Sequence, residues 1–509
     1  MKLQALKNKN YSKMALLFLF ICLSHISLGF DFKIIYALSI FLFLISINQF
    51  RFIYMPLVII LSVISSMYFP IAMLYGEPNF NISTALLYTN TGESIEFLSN
   101  IPYYHYLLSL FILALGIYTS KFRFNIHKKT KLTNFFIFLI IFLQGPIKTW
   151  ATSDEFSILN TGLPEIKFIK QTVLSISSTI NEKIKMDEML AEKDDYPKLS
   201  STSDYDTYII DIGESARKSF MHSYGFEIAN TPFFDNIKGK VFTNYISAAS
   251  TTVPSLMNTL TEYSRPQNNV VTLANKAGFD TYWISNQGSI GIHDSPIASI
   301  GKKAKKSIFI KHGDFSSLES DAELLPYINK AIENKVTTKK LIIIHLIGSH
   351  SPACKRTNNK YDVFYLNERM SCYVQSIKET DHLLKSIYDD LNATKTKWSF
   401  MYFSDHGVSF ANKENKSKTD LIHGHSHKQN FEVPFFITSY NDNDRVFINA
   451  RISGLNFLSL FSEWIGINRY QIPNCKMISN QDCKFNKNIL DADNKFMDFD
   501  QLPDDLLQP

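Results

Sequence analysis

Residues 206–217 read DTYIIDIGESAR. The first half is a short run of β-branched and aromatic residues, the composition of a strand buried on both faces. It stops at Gly213, and Glu214-Ser215-Ala216-Arg217 then bring a carboxylate, a hydroxyl and a guanidinium. Four more such runs follow: DTYWIS, KLIIIHLI, KWSFMYFS and VPFFITS. Between them lie helical patterns, SLMNTLTEYS, AELLPYINKAIEN and CYVQSIKETDHLLKSIYDDL. Strands alternating with helices predict a largely parallel sheet covered on both faces. In such sheets ligands bind beyond the carboxyl ends of the strands. The residues after each run are therefore where chemistry belongs.

Those residues are rich in chemistry. LIIIHLI runs into Gly348-Ser349-His350-Ser351-Pro352 and FMYFS into Asp405-His406-Gly407, while Ile422-His423-Gly424-His425-Ser426-His427 precedes VPFFITS. Carboxylates and imidazoles without thiolate, gathered on one rim, suit a divalent metal and catalytic zinc in particular. Singly, each has a plainer reading: Asp-His-Gly is a common turn, and the histidines of 423–427 fit a solvated loop. Four such segments at strand ends argue jointly for a metal site. A nucleophile candidate lies in Ser250-Thr251-Thr252-Val253-Pro254-Ser255-Leu256-Met257. Pro254 fits the first turn of a helix and the hydroxyl residues before it fit an N-cap. The same geometry suits catalysis, because a hydroxyl in the positive field of a helix N-terminus favours an alkoxide and an incoming phosphate. Local sequence leaves Thr252 as cap or nucleophile.

Upstream, the first 150 residues are strongly apolar. Five stretches, 14–30, 34–50, 52–74, 103–119 and 132–149, approach or reach the ~20 residues that span a bilayer. The first follows a basic N-terminus but is trailed by no small-residue cleavage site, so it reads as a retained helix. Lys2, Lys7, Lys9 and Lys13, Arg51, and Lys121, Arg123, Lys128, Lys129 and Lys131 mark the cytoplasmic connections. Residues 75–102 hold Glu77, Glu93 and Glu96 and no Lys or Arg. Five spans then put everything after residue 150 outside the cytoplasm. Cys354, Cys372, Cys475 and Cys483 all fall in that exterior part, where two disulfides are expected. Neighbour pairing, Cys354–Cys372 and Cys475–Cys483, is the simplest of the three connectivities. Residues 151–204 form a polar linker, with apolar positions in FIKQTVLSISSTI at the spacing of an interfacial helix.

Composition agrees with this division. Of 509 residues 45% are hydrophobic, with 41 Phe, and only 19% are charged, which excludes a disordered chain. Fifty-two basic against 47 acidic residues are too balanced for a dedicated nucleic-acid binder.

The exterior part resembles the alkaline-phosphatase/sulfatase superfamily. The whole chain is similar to the membrane-anchored phosphoethanolamine transferases that decorate lipid A and lipopolysaccharide core in Gram-negative bacteria. The resemblance rests on IGESARKSFMHSYGFEIANTPFFDNI, the Thr segment, WISNQ, GSHSP, SDHG and IHGH. It implies a five-helix transmembrane domain (1–150), a linker (151–204), a periplasmic α/β sulfatase-like catalytic domain (205–470) and a C-terminal tail with a disulfide (471–509). It implies Glu214, Asp405 and His406 as Zn2+ ligands, with Thr252 as nucleophile and fourth ligand and Thr251 as the fallback. His350 and His423 match histidines that bind the transferred phosphate or protonate the leaving group. Asn286 and Gln287 match a family signature without an assignable chemistry. The implied reaction moves phosphoethanolamine from phosphatidylethanolamine to a lipopolysaccharide acceptor through a covalent threonine intermediate, in a monomer of the bacterial inner membrane among membrane lipids. A phosphoglycerol transferase of the lipoteichoic acid synthase type, or another sulfatase-like phosphoryl transferase or hydrolase, is the alternative. A sulfatase proper would need a Cys/Ser-x-Pro-x-Arg signature at the nucleophile, and none occurs there.

Overall fold

Thr207–Gly213 (β1) is buried along its whole length at the centre of an eight-stranded sheet. The other strands are Gly239–Phe242 (β2), Asp280–Ser285 (β3), Lys306–Phe309 (β4), Lys340–His345 (β5), Trp398–Ser404 (β6), Phe435–Ser439 (β7) and Arg445–Ile448 (β8). Their spatial order is β8-β2-β7-β6-β1-β5-β3-β4. Every pairing is parallel except the two made by β7, with β6 and with β2. The largely parallel sheet expected from the alternating pattern is thus present in this computed structural model. The structure describes residues 2–79, 82–83, 101–153, 156–288, 296–310, 320–334, 339–470, 475–479 and 488–507.

The period of two along β1 divides its side chains between two cores. Tyr208, Ile210 and Ile212 join Trp283, Ile343 and Phe403 on one face, under the helices Thr252–Leu260 (α7) and Phe457–Trp464 (α10). Ile209 joins Ile342, Tyr402 and Phe436 on the other, under Leu325–Glu333 (α8) and Glu368–Ala393 (α9). Register aligns Gly213 with Ser404, and Ile212 with His345, which is itself paired with Ser285. Four parallel strands therefore end at one rim.

The buried central strands follow their sequence runs closely, while the outer strands β2, β4 and β8 were not anticipated. The helix expected over SLMNTLTEYS stops at Leu260, because Thr261–Glu262 turns into a short antiparallel pair with Arg265–Asn269.

The chain divides into two compact units, one holding residues 1–86 and 97–179, the other 87–96 and 180–509. The first is helical: Lys2–Ser27 (α1), Ile34–Ile47 (α2), Arg51–Tyr75 (α3), Tyr103–Ser120 (α4), Lys128–Ser153 (α5) and the beginning of Pro164–Ala191 (α6). Segments of α1, α3 and α5 are long and apolar enough to cross a membrane. The second expected span is shortened: α2 has only 14 residues, because the chain leaves the helix at Asn48. Asn48 side-chain groups exchange hydrogen bonds with the backbone of Phe122 and Phe124 instead. In this unit His25 Nε2 meets Glu165 Oε1 at 2.7 Å, with both groups largely buried.

Cys354 and Cys372 form a disulfide as expected, and Cys22 is free. Cys475 is disulfide-bonded. The expected Cys475–Cys483 pairing reaches Cys483, which lies outside the described residues.

Candidate metal centre and active site

The site forms where β1 and β6 end side by side. Glu214 follows β1, Asp405 and His406 follow β6, and all three are buried. Their ligand atoms lie within 4.8 Å of one another, the one such group among the described residues. Asp405 Oδ1 accepts from the Ser215 and His406 backbone N–H groups at 2.9 and 2.7 Å. Its Oδ2 is buried with no hydrogen-bond partner. His406 Nδ1 donates to the Gly407 carbonyl at 2.8 Å, which turns Nε2 toward Glu214 Oε1 at 3.4 Å and Asp405 Oδ2 at 3.5 Å. An imidazole fixed through Nδ1 with Nε2 turned toward two carboxylates, an orphaned carboxylate oxygen and a second buried carboxylate make a donor set that fits a divalent cation.

The electrostatics of the protein alone carry the same signature. Burial works to raise the Glu214 carboxyl, but the hydrogen bond and charge of His406 outweigh it and hold it well below the usual range. Burial, followed by the charge of Glu214, pushes Asp405 up to about 8. His406 rises to about 9: burial opposes its charge, but Asp405 and Glu214 favour it more strongly. Two carboxylates packed together compete for a positive neighbour, and here the imidazolium supplies it.

Thr252 joins this group. Its hydroxyl donates to Glu214 Oε2 at 3.1 Å and lies 3.4 Å from His406 Nε2. The cap reading of Thr252 is corrected: Thr251 is the N-cap, with no side-chain cap bond, and Thr252 is the first residue of α7. The position frees the Thr252 hydroxyl from capping and aims it at the carboxylate. Ser255, one turn along, donates to the Asp405 carbonyl at 2.6 Å and ties α7 to the β6 end. Ser215 is more enclosed than Thr252, with its hydroxyl donating to Glu214 Oε1 at 2.7 Å.

His423 and His350 sit beside the group. The His423 ring lies 4.9 Å from that of His406 and 5.8 Å from that of His350. Burial, then the neighbouring imidazoles, lower His423 to about 3, so its ring is neutral. His425 and His427 are not in the ligand group.

Three further residues tied to this rim were not singled out in the sequence. Asp321 accepts from Asn286 Nδ2 and from the backbone of Ile347 and Gly348. Asp505, fully buried near the C-terminus, pairs with Arg217 at 2.6 Å. Asp211, on β1, has both carboxylate oxygens buried and unpartnered, and burial followed by the charge of Asp321 pushes it well above the usual carboxylate range. Only Asp211 had a sequence cue, a lone acid inside an apolar strand.

Residues 206–467 match the family model described as Sulfatase. Phosphoethanolamine transferase OpgE of Escherichia coli (strain K12) is 36% identical over 470 residues, 90% of this chain and 89% of the relative. Among solved structures, the lipooligosaccharide phosphoethanolamine transferase A (EptA) of Neisseria meningitidis aligns with a TM-score of 0.56 at 16% identity, covering 89% of this chain and 96% of that one. The periplasmic domain of EptC from Escherichia coli, crystallised with Zn, aligns with a TM-score of 0.53 at 20% identity over 60% of this chain and 97% of that one. These two structures share the fold.

Proposed function

For a chain that belongs to the sulfatase family, and within it to the phosphoethanolamine transferases, we propose transfer of phosphoethanolamine from phosphatidylethanolamine to a lipopolysaccharide acceptor, on lipid A or a core sugar, through a covalent adduct on Thr252. The observation that carries this reading is the Thr252 hydroxyl at the first position of α7, 3.1 Å from Glu214 and facing His406. Glu214, Asp405, His406 and Thr252 would hold zinc, an identity supported by the EptC domain crystallised with Zn. When bound, the cation supplies positive charge that lowers the pKa of a hydroxyl and offsets charge on a phosphate.

The residues of the chain do the rest. Thr252, oriented by its hydrogen bond to Glu214 Oε2, loses its proton to solvent as its Oγ forms a bond to phosphorus and the phosphorus–oxygen bond to diacylglycerol breaks. His350 and the neutral His423 ring orient the phosphate, and the departing oxygen takes up a proton by way of His350, balancing the one Thr252 lost. An acceptor oxygen then attacks the same phosphorus and gives up its proton, Thr252 Oγ leaves, and uptake of one proton restores the hydroxyl. The N-terminal helices serve as five spans of the inner membrane, holding residues 205–470 in the periplasm as a monomer where lipid donor and acceptor arrive by lateral diffusion. Residues 151–204 link the two parts and 471–509 form the tail.

The test is direct. With phosphatidylethanolamine and no acceptor, peptide mass spectrometry should find a phosphoethanolamine adduct on Thr252. Chelation should abolish transfer, and added zinc should restore it. An adduct on Ser215, or undiminished transfer by metal-free enzyme, would overturn the reading. Mass spectrometry of lipopolysaccharide from cells with and without the protein locates the acceptor group.

A further inference from the structure

The Asn286-Gln287 pair and Asp321 converge on a loop rather than on the metal group. Asp321 Oδ2 accepts from the Gly348 N–H at 2.8 Å. Its Oδ1 accepts from Ile347 N–H at 2.9 Å and from Asn286 Nδ2 at 2.8 Å. Gln287 Nε2 donates to the Leu346 carbonyl at 2.9 Å. Three successive residues, 346–348, are thus held by side chains from the end of β3 and from the segment before α8. The loop is also pressed against Glu214: Ser349 N–H donates to the Glu214 carbonyl at 2.9 Å. Gly348 has φ +50°, and a Cβ there would lie 2.8 Å from both the Glu214 nitrogen and oxygen. No larger side chain fits that approach without moving one backbone off the other. His350 closes the loop, its N–H donating to Ile347 O at 3.1 Å.

We propose that Asp321, Asn286 and Gln287 are positioning residues that fix the 346–350 loop and thereby set His350 against His423 and the Glu214 backbone. The proposal rests on the reading of His350 as a group that acts on the transferred phosphate. A carboxylate is the side chain this geometry needs, since it offers two acceptor oxygens to three converging N–H groups. An amide in its place offers one acceptor oxygen and turns an N–H toward another N–H. Displacing a reacting group by about an ångström costs on the order of 10²-fold in rate.

The experiment uses the full chain in detergent micelles with phosphatidylethanolamine, following release of diacylglycerol. Asp321→Asn should lower kcat roughly 10- to 100-fold at little change in KM. In a His350→Ala background it should lower kcat no further, because both changes remove the same contribution. Gln287→Leu, which cuts the Leu346 tether alone, should give a smaller loss with the same lack of additivity. Hydrogen exchange read by mass spectrometry supplies a measure independent of turnover. Amides of 346–350 should exchange faster in Asp321→Asn, while those of β6 and 405–407 keep the wild-type rate. Wild-type kcat in Asp321→Asn, losses that multiply in the double variant, or unchanged exchange at 346–350 would each overturn the proposal. A wild-type enzyme that releases no diacylglycerol would instead refute the transferase reading, leaving the exchange comparison to decide the loop.

Discussion

Thr252 makes no cap bond, so its hydroxyl can be removed without the usual loss of helix stability. A true N-cap Thr→Ala change costs about 0.5–2 kcal/mol. Thr252→Ala gives up the hydrogen bond to the buried Glu214 carboxylate and should cost about 1–3 kcal/mol while the domain stays folded. Transfer should nevertheless fall by roughly 10³-fold or more, as for loss of a nucleophile. Thr252→Ser retains the hydroxyl and should keep part of the activity, while Thr251→Ala should be mild in both respects. Thermal melting beside turnover checks all three variants, and an active Thr252→Ala would return Thr252 to a structural role. At this scale the sequence was informative where chemistry sits directly after a strand. Glu214, Asp405 and His406 could be picked out because a buried apolar run points to its own end. Asn286 and Gln287 were visible as a motif without a purpose, since their partners are backbone groups of another strand end. Asp321 and Asp505 carried no local mark. Arg217 and Asp505 are separated by 288 positions, and only the folded chain brings them together.

That pair belongs to the scale of elements, because it fastens the C-terminal segment to the turn after β1. Arg217 Nη1 and Nη2 donate to the Asp505 side chain and carbonyl at 2.6 and 2.8 Å. Asp505 Oδ2 also accepts from Phe410 N–H at 2.7 Å, and Lys413 pairs with Oδ1. Removing one partner of a buried pair leaves an uncompensated charge, so Asp505→Ala should cost about 3–5 kcal/mol. Burial works to raise the Asp505 carboxyl, but Lys413, the Phe410 N–H and Arg217 outweigh it and lower its pKa. The folded value lies below the unfolded one, so this stabilisation is complete above about pH 4 and is lost as pH falls through the folded value. Denaturant melts of wild type and Asp505→Asn should therefore differ at pH 7 and converge in acid; a constant difference would show that Asp505 does not act as an ion. The Cys354–Cys372 bridge ties the segment after His350 to the first turns of α9. Cys372→Ser should cost about 2–4 kcal/mol in the same melts. The central strands were legible because burial on both faces favours a largely apolar run, interrupted in β1 by Asp211 alone. The four-residue outer strands β2, β4 and β8 were not, since GKVF, KSIF and RVFI mix charge with apolar residues as readily as a loop does.

For the whole molecule, the number of crossings decides which side of the membrane each part occupies. The α1, α3 and α5 segments alone, or all five N-terminal helices together, are both odd numbers of crossings. Either count puts the catalytic domain on the face opposite to Lys2, Lys7, Lys9 and Lys13. A reporter active only in the periplasm and fused after Pro509 should therefore work, and a cytoplasm-only reporter at the same point should not. The two counts part at the end of α3. With five crossings Glu77 lies outside, in the stretch 75–102 that carries no Lys or Arg; with three it lies inside. The connection around Lys121–Lys131 is inside on both counts, as its five basic residues require. Fusions after Glu77 and after Lys129 thus make a matched pair: five crossings predict a periplasmic signal at the first and a cytoplasmic one at the second. Cytoplasmic signals at both, with a periplasmic one after Pro509, would reduce the anchor to three spans and leave α2 and α4 as non-crossing helices on opposite sides. A cytoplasmic signal after Pro509 would do more damage. It would take the Cys354–Cys372 bridge out of an oxidising compartment and remove the catalytic domain from the leaflet in which its lipid substrates are proposed to meet it.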